Sequence, residues 1–189
     1  MPKALARTPD GEPWLHRAVA VLAEGGCTHV LVVLGALAET AIHLVPTGAE
    51  ALIARDWNDG QGASLRTGLQ ACGGSVAPAV LVTLVDLPDL VPAAVRRVVT
   101  AGGPDLTRAL ARASYAREPG HPVLIGREHW GALSGSLAGD RGAAGYLGVH
   151  GVTDVDCTEL GGGDDVDRQD PGAPSAGPIR VDPGRRFRG

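Results

Sequence analysis

The sequence predicts an α/β fold, a Rossmann-like and mostly parallel sheet with helices on both faces, from three observations. Short apolar runs rich in Val and Leu, at 29–34 and 79–85, have the length and composition of strands buried on both faces. These runs alternate with segments of helical spacing, as at Trp14, Leu15, Ala18, Val19 and Leu22. The run from Ala79 stops at Asp86-Leu-Pro-Asp, where Pro88 bars a further ladder bond. A carboxylate at the carboxyl end of a buried strand stands where open α/β sheets bind ligands.

The elements follow in order. Pro13 suits the first turn of a helix over 12–23, and Gly25-Gly26 suits its end. A strand at 29–34 leads through Gly35 to a short helix ending near His43, then to a shorter strand at 51–54. A polar, Gly-rich loop at 55–62 runs into a helix with Leu65 and Leu69 four apart. After the strand that ends at Asp86, residues 92–100 read as a helix closed by Gly102-Gly103. Residues 107–116 and 121–125 are β-like and joined by Arg-Glu-Pro-Gly, an antiparallel pair. Helices are expected at 127–137 and 141–147, the second with Asp140 as its N-cap, and a last strand at 152–156. One domain over 1–170 accounts for these elements, and 171–189, rich in Gly, Pro, Asp and Arg, reads as a disordered tail.

Aromatic residues are 3% of the 189, so the core is built from Val, Leu and Ala. A net charge of -4 gives no basis for nucleic acid as a partner. Cys27, Cys72 and Cys157 are odd in number and lack a C-x-x-C spacing, which points to buried free thiols in a reducing cytoplasm. No apolar run approaches a membrane span and no leader pattern appears, so a cytoplasmic protein without a membrane partner is expected.

Three groups carry candidate chemistry. Asp86 is the first, although taken alone it reads equally as a turn or cap residue. The second is the loop Trp57-Asn-Asp-Gly60-Gln-Gly62-Ala-Ser64, whose glycines let backbone amides approach a ligand just before a helix N-terminus. The third is Asp164-Asp165-Val-Asp167, which taken alone is a solvated acidic turn. Together they fit a divalent-metal nucleotide site. Magnesium takes one or two protein carboxylates and completes its shell with water and substrate phosphates. Asp86 with Asp165 or Asp167 would supply the carboxylates, and Lys3 a phosphate cation.

Trp57-x-x-Gly60-x-x-x-Ser64-Leu65-x-x-Gly68-Leu69 resembles the W-x-x-G-M-x-x-S-L-x-x-G-L segment of MobA-like NTP transferases, with Gln61 in place of Met. The molybdenum cofactor cytidylyltransferases are the most similar members. Asp86-Leu-Pro88 is similar to their D-x-P, Gly120-His121-Pro122 to their G-H-P, and Gly139-Asp140-Arg141-Gly142-Ala143 to their G-D-x-G-A. Asp165-Val166-Asp167 is similar to the D-I-D of their closing motif, though Arg168-Gln-Asp-Pro171 follows where T-P-E-D is usual. Pro2-Lys3-Ala4-Leu5 resembles the P-K-A-L that ends their nucleotide loop. The family has a first strand and the loop L-A-A-G-x-S-x-R-M-G ahead of that point. This sequence has neither, which predicts unpaired strand edges and bare apolar surface.

The resemblance implies a nucleotide-diphospho-sugar transferase-like fold and a magnesium-dependent transfer of CMP from CTP to molybdopterin, with release of pyrophosphate. It assigns Asp86 and Asp165 to the metal, with Asp167 as alternate, and Lys3 to the phosphates. Trp57, Gly60, Gly62 and Ser64 would wall the nucleotide pocket, and His121 and Asp140 would lie toward the acceptor. A guanylyltransferase is the close alternative. A non-catalytic protein that binds the cofactor and delivers it to a molybdoenzyme, or to that enzyme's maturation factor, is the alternative of another class. Hydride transfer is disfavoured, since no G-x-G-x-x-G follows a predicted strand.

Overall fold

The computed structural model describes residues 2–164. α1 (Trp14–Glu24) starts directly after Pro13, whose fixed φ is already that of a helix start. It buries Trp14 and Leu15 and ends at Gly25, where any Cβ would collide with the side chain of Val95. β1 (Val30–Leu34) buries alternate residues and pairs in parallel with β2 (Ala49–Ile53), Val30 opposite Ala49 and Leu34 opposite Ile53. β2 begins two residues before the expected strand. α2 (Ala38–Ala41) with a 3-10 turn over Ile42–Leu44 links the two, and α3 (Gln61–Cys72) follows the Gly-rich loop.

β3 (Ala79–Val82) is shorter than the apolar run that encodes it, because 83–85 find no strand to pair with among the described residues. α4 (Pro92–Ala101) has Pro at its first position, as the sequence suggests. β4 (Leu110–Tyr115) and β5 (Glu118–Gly126) form the expected antiparallel pair. The turn, however, is Ala116-Arg117, both with positive φ, and Glu118 and Pro119 belong to β5. α5 (Trp130–Ser136) and α6 (Ala144–His150) precede β6 (Thr153–Asp156), which runs parallel to β4.

The four-stranded order is β3-β5-β4-β6, and the described ladders are parallel at β1–β2 and β4–β6 but antiparallel on both sides of β5. The α/β fold with parallel pairing is as expected, and the antiparallel ladders enter with β5, which a hairpin sets against β4 and which also opposes β3. β1–β2 stands as a separate ladder among the described residues.

Helices cover both faces, as expected. On one, Ala94 and Val98 of α4 pack on Ala111, Leu124 and Val155. On the other, Leu69, Leu133 and Leu147 from α3, α5 and α6 pack on Val123 and Ile125. The period of two along β5 places Leu124 on one face and its neighbours on the other. A third cluster of Leu15, Val32, Leu34, Ala38 and Ala41 holds β1 between α1 and α2. No helix among the described residues is long and apolar enough to cross a membrane.

Candidate active site

The loop that follows β3 is pinned by the buried Leu87 and Leu90, and this carries Asp86 into a position only 6% exposed. Lys3 reaches it from a 3-10 turn over Lys3–Leu5, where Ala4 and Leu5 pack against the cluster that holds Leu34 and Val85. The Lys3 ammonium donates to Oδ2 of Asp86 and forms an ion pair with it. No described donor bonds to Oδ1 of Asp86, so that hard oxygen is left for a cation.

His121 stands beside this pair on β5. Its Nδ1 lies 3.3 Å from the carbonyl of Val82, which accepts only, so Nδ1 carries the proton and Nε2 the lone pair. Burial lowers the imidazole pKa, and the nearby Asp86 carboxylate partly opposes that. Tyr115 donates its hydroxyl to the His121 carbonyl at 3.0 Å, and burial pushes the phenol up to about 12.

A second group forms where two loops meet back to back. Gly60 has φ +100°, and a Cβ there would lie 2.5 Å from both Oδ1 of Asp140 and the Gly139 carbonyl carbon. A Cβ on Gly62 would lie 3.0 Å from the Gly139 oxygen. Asp140 accepts from the Gln61 amide at 3.3 Å, which puts a carboxylate at the amino end of α3. This replaces the expected role of Asp140 as N-cap of the helix beyond it. α6 begins only at Ala144, after Ala143, without a side-chain cap, and Asp140 lies in a 3-10 turn instead. Trp57, 40% exposed, packs over Gly35 just past the end of β1.

The structure thus brings Lys3, Asp86 and His121 together, and separately Gly60, Gly62 and Asp140. Of these residues His121 lines a groove of about 1200 Å³, together with Gln61 and Ser64 from the start of α3. Asp165 and Asp167 lie outside the described residues. The chain leading to them passes over the Asp89 carbonyl at Gly162 and the Tyr115 ring at Gly163. Among the described residues no three His, Cys, Asp or Glu side chains gather as a metal site.

Two contributors escaped the sequence reading. Arg141 lines the groove as a cation, and its signal was its place beside Asp140 in the Gly-Asp-Arg-Gly run. Thr83 also lines the groove, with its hydroxyl buried and unbonded among the described residues, and no residue pattern announces that.

Among proteins of known identity, the chain is 30% identical over 180 residues to nicotine blue oxidoreductase of Paenarthrobacter nicotinovorans, covering 87% of this chain and 86% of that one. Among solved structures it is similar to the manganese complex of Rv0371c from Mycobacterium tuberculosis H37Rv. That match has 26% identity and a TM-score of 0.70, over 83% of this chain and 82% of the other. The fold is shared with 2-C-methyl-D-erythritol 4-phosphate cytidylyltransferase of Thermus thermophilus, at 21% identity and a TM-score of 0.59 over 88% of each chain. The MobA-like NTP transferase domain matches residues 1–154, and the chain belongs to that family of nucleotidyltransferases.

Proposed function

We propose that this chain is a cytidylyltransferase that joins the CMP of CTP to a molybdopterin-type cofactor and releases pyrophosphate. The observation that carries the reading is the Lys3–Asp86 pair beyond β3, beside His121, which lines one groove with Gln61 and Ser64 at the amino end of α3. A triphosphate is held by cations and aimed N–H groups, and a divalent ion beside it by hard carboxylate oxygens.

An ionised oxygen of the acceptor's terminal phosphate attacks the α-phosphorus of CTP. A new P–O bond forms as the bond to the β-phosphate oxygen breaks, and the electron pair leaves with pyrophosphate. The attacking oxygen is already charged at neutral pH, so no general base is needed and the protein contributes position and charge. Lys3 and Arg141 neutralise phosphate oxygens, residues 57–64 wall the nucleotide pocket, and His121 and Asp140 face the acceptor side. Asp86 with Asp165, or Asp167 as alternate, would hold magnesium, which would supply charge neutralisation at the nucleotide phosphates. Oδ1 of Asp86, which accepts no hydrogen bond among the described residues, suits that role. The manganese complex of the Rv0371c relative supports a divalent ion in this fold.

The preference for CTP over GTP rests on the Gly120-His-Pro and Gly139-Asp-Arg-Gly-Ala segments. The product would pass to a cytoplasmic molybdoenzyme or its maturation factor. A second reading, oxidoreduction of a small organic acceptor, is favoured by the 30% identity to nicotine blue oxidoreductase.

Calorimetric titration with CTP and with GTP, each with and without magnesium, tests the proposal. Magnesium-dependent binding of CTP over GTP is the expected result. No nucleotide binding by the folded chain, together with redox turnover of nicotine blue, would overturn it in favour of the second reading.

A further inference from the structure

β4 and β5 pair in simple register from Leu110–Ile125 to Arg112–Val123, and again at Ser114–Pro119 and Tyr115–Glu118. Between those stretches Gly120, His121 and Pro122 together stand opposite Ala113 alone, so β5 bulges there. The ladder to β3 also ends at Val82–Val123, beside Pro122. At His121, then, neither neighbouring ladder holds the backbone. A bulge re-aims a side chain, and here the imidazole turns to the Val82 carbonyl at the end of β3, ahead of Asp86.

Tyr115 holds this bulge. Its hydroxyl donates to the His121 carbonyl at 3.0 Å, in place of the ladder N–H that the bulge removes. Burial keeps the phenol up to about 12, so the hydroxyl is a donor throughout the neutral range. The ring is fixed by main chain on two sides. A Cβ on Gly120 would lie 2.8 Å from it, and one on Gly163 would run into it.

We propose that Tyr115 is a positioning residue of the site: through the bulged His121 carbonyl it sets the aim of the His121 imidazole, and so which ring nitrogen meets the ligand. This rests on the reading of His121 as a residue that faces the acceptor. While the bulge is held, Nδ1 donates to the Val82 carbonyl and Nε2 keeps its lone pair. The site then offers a hydrogen-bond acceptor, which selects an N–H or O–H group of the ligand. A phosphate oxygen is refused there, because its lone pairs would face the lone pair of Nε2; phosphates stay with Lys3 and Arg141. Without the Tyr115 hydroxyl the bulge relaxes, the bond to Val82 is lost, and the ring presents either nitrogen.

Nitrogen-15 NMR of the imidazoles tests this on the full chain without ligand, in mildly alkaline buffer where the ring is neutral. Two variants are compared with the parent: Tyr115→Phe, which keeps the ring against both glycines, and Gly120→Ala, which pushes on that ring. The parent His121 should show one tautomer, with its proton on Nδ1, and both variants a mixture of two. In steady-state nucleotidyl transfer, Tyr115→Phe should raise KM for the acceptor roughly tenfold, the worth of one hydrogen bond, and leave KM for the nucleotide within about twofold. A single Nδ1–H tautomer in folded Tyr115→Phe would overturn the proposal and leave Tyr115 a packing residue. A mixed tautomer already in the parent, or a rise in KM for the nucleotide in place of the acceptor, would overturn it too. Absence of transfer by the parent, with the tautomers shifting as expected, would uphold the positioning of His121 and refute the assigned reaction.

Discussion

Gly60→Ala probes the closest approach in the site. The residue has φ +100° and ψ -178°, a region that L residues avoid at a cost of about 1–3 kcal/mol. Its new methyl would also stand 2.5 Å from Oδ1 of Asp140 and from the Gly139 carbonyl carbon. The carboxylate can swing aside because Asp140 is exposed, but the Gly139 backbone belongs to a turn and cannot yield as cheaply. Strain and contact together should cost roughly 3 kcal/mol, which for a domain of this size lowers Tm by about 8 °C. The Gln61–Asp140 hydrogen bond should break with them, freeing the start of α3. The matched control is Gly148→Ala in α6, with no heavy atom within 4 Å of its Cβ and no positive φ. The same chemical change there should stabilise by about 0.5–1 kcal/mol, through a better helix propensity. Urea unfolding of both variants is the assay. A Gly60→Ala midpoint within about 0.5 kcal/mol of the parent, the usual spread for inert surface changes, would refute the argument from backbone and contact.

Three further outcomes are expected. Asp86→Ala should abolish magnesium-dependent nucleotide binding in calorimetry. It should cost only about 1 kcal/mol of stability, because the Lys3 side chain is 40% exposed and water can take over its charge; insoluble protein would make Asp86 a structural residue instead. Leu133→Ala, at a fully buried position between α5 and the sheet, should cost about 3 kcal/mol in urea unfolding. Tyr115→Phe should cost about 1 kcal/mol at neutral pH, from the lost bond to the His121 carbonyl. The Tyr115 phenol titrates near 10 when unfolded and is held up to about 12 when folded, so the native state keeps its proton longer. Its contribution is complete below pH 10 or so and lost as pH rises toward 12, and the Phe variant should show a smaller alkaline loss of stability across that window.

What was legible in the sequence, and what was not, follows from the range of the interactions. Helix α4 could be read because its signals are local, a Pro at the start, Gly at the end and a helical apolar stripe between. The extent of β3 could not, since a strand ends where its neighbour ends, and the run 79–85 contains no information about what lies beside it. The turn between β4 and β5 was misplaced because Pro and Gly usually mark turns. Here Pro119 and Gly120 lie within the longer strand and Ala116-Arg117 take the positive φ angles. Asp140 shows the same limit. A carboxylate just before a predicted helix is a sound N-cap by local rules, yet its partner is the amide of Gln61, 79 residues earlier in the chain.

The site was legible as a set of residue types before it was legible as a place. Lys3 and Asp86 are 83 residues apart, and neither signals the other; what pairs them is the apolar anchoring of each. Leu5 joins the cluster of Leu34 and Val85, while Leu87 and Leu90 bury the loop on the other side. The ion pair is therefore a consequence of packing rather than its cause, which is why removing the carboxylate should disable binding and spare the fold. The same logic separates the two groups in the site. Gly60 and Gly62 are glycines because another backbone lies against them, and their contribution to binding is the position of the amino end of α3, which this contact and the Gln61–Asp140 hydrogen bond fix in place. Loss of nucleotide affinity in Gly60→Ala should therefore track its loss of stability, whereas in Asp86→Ala the two should come apart.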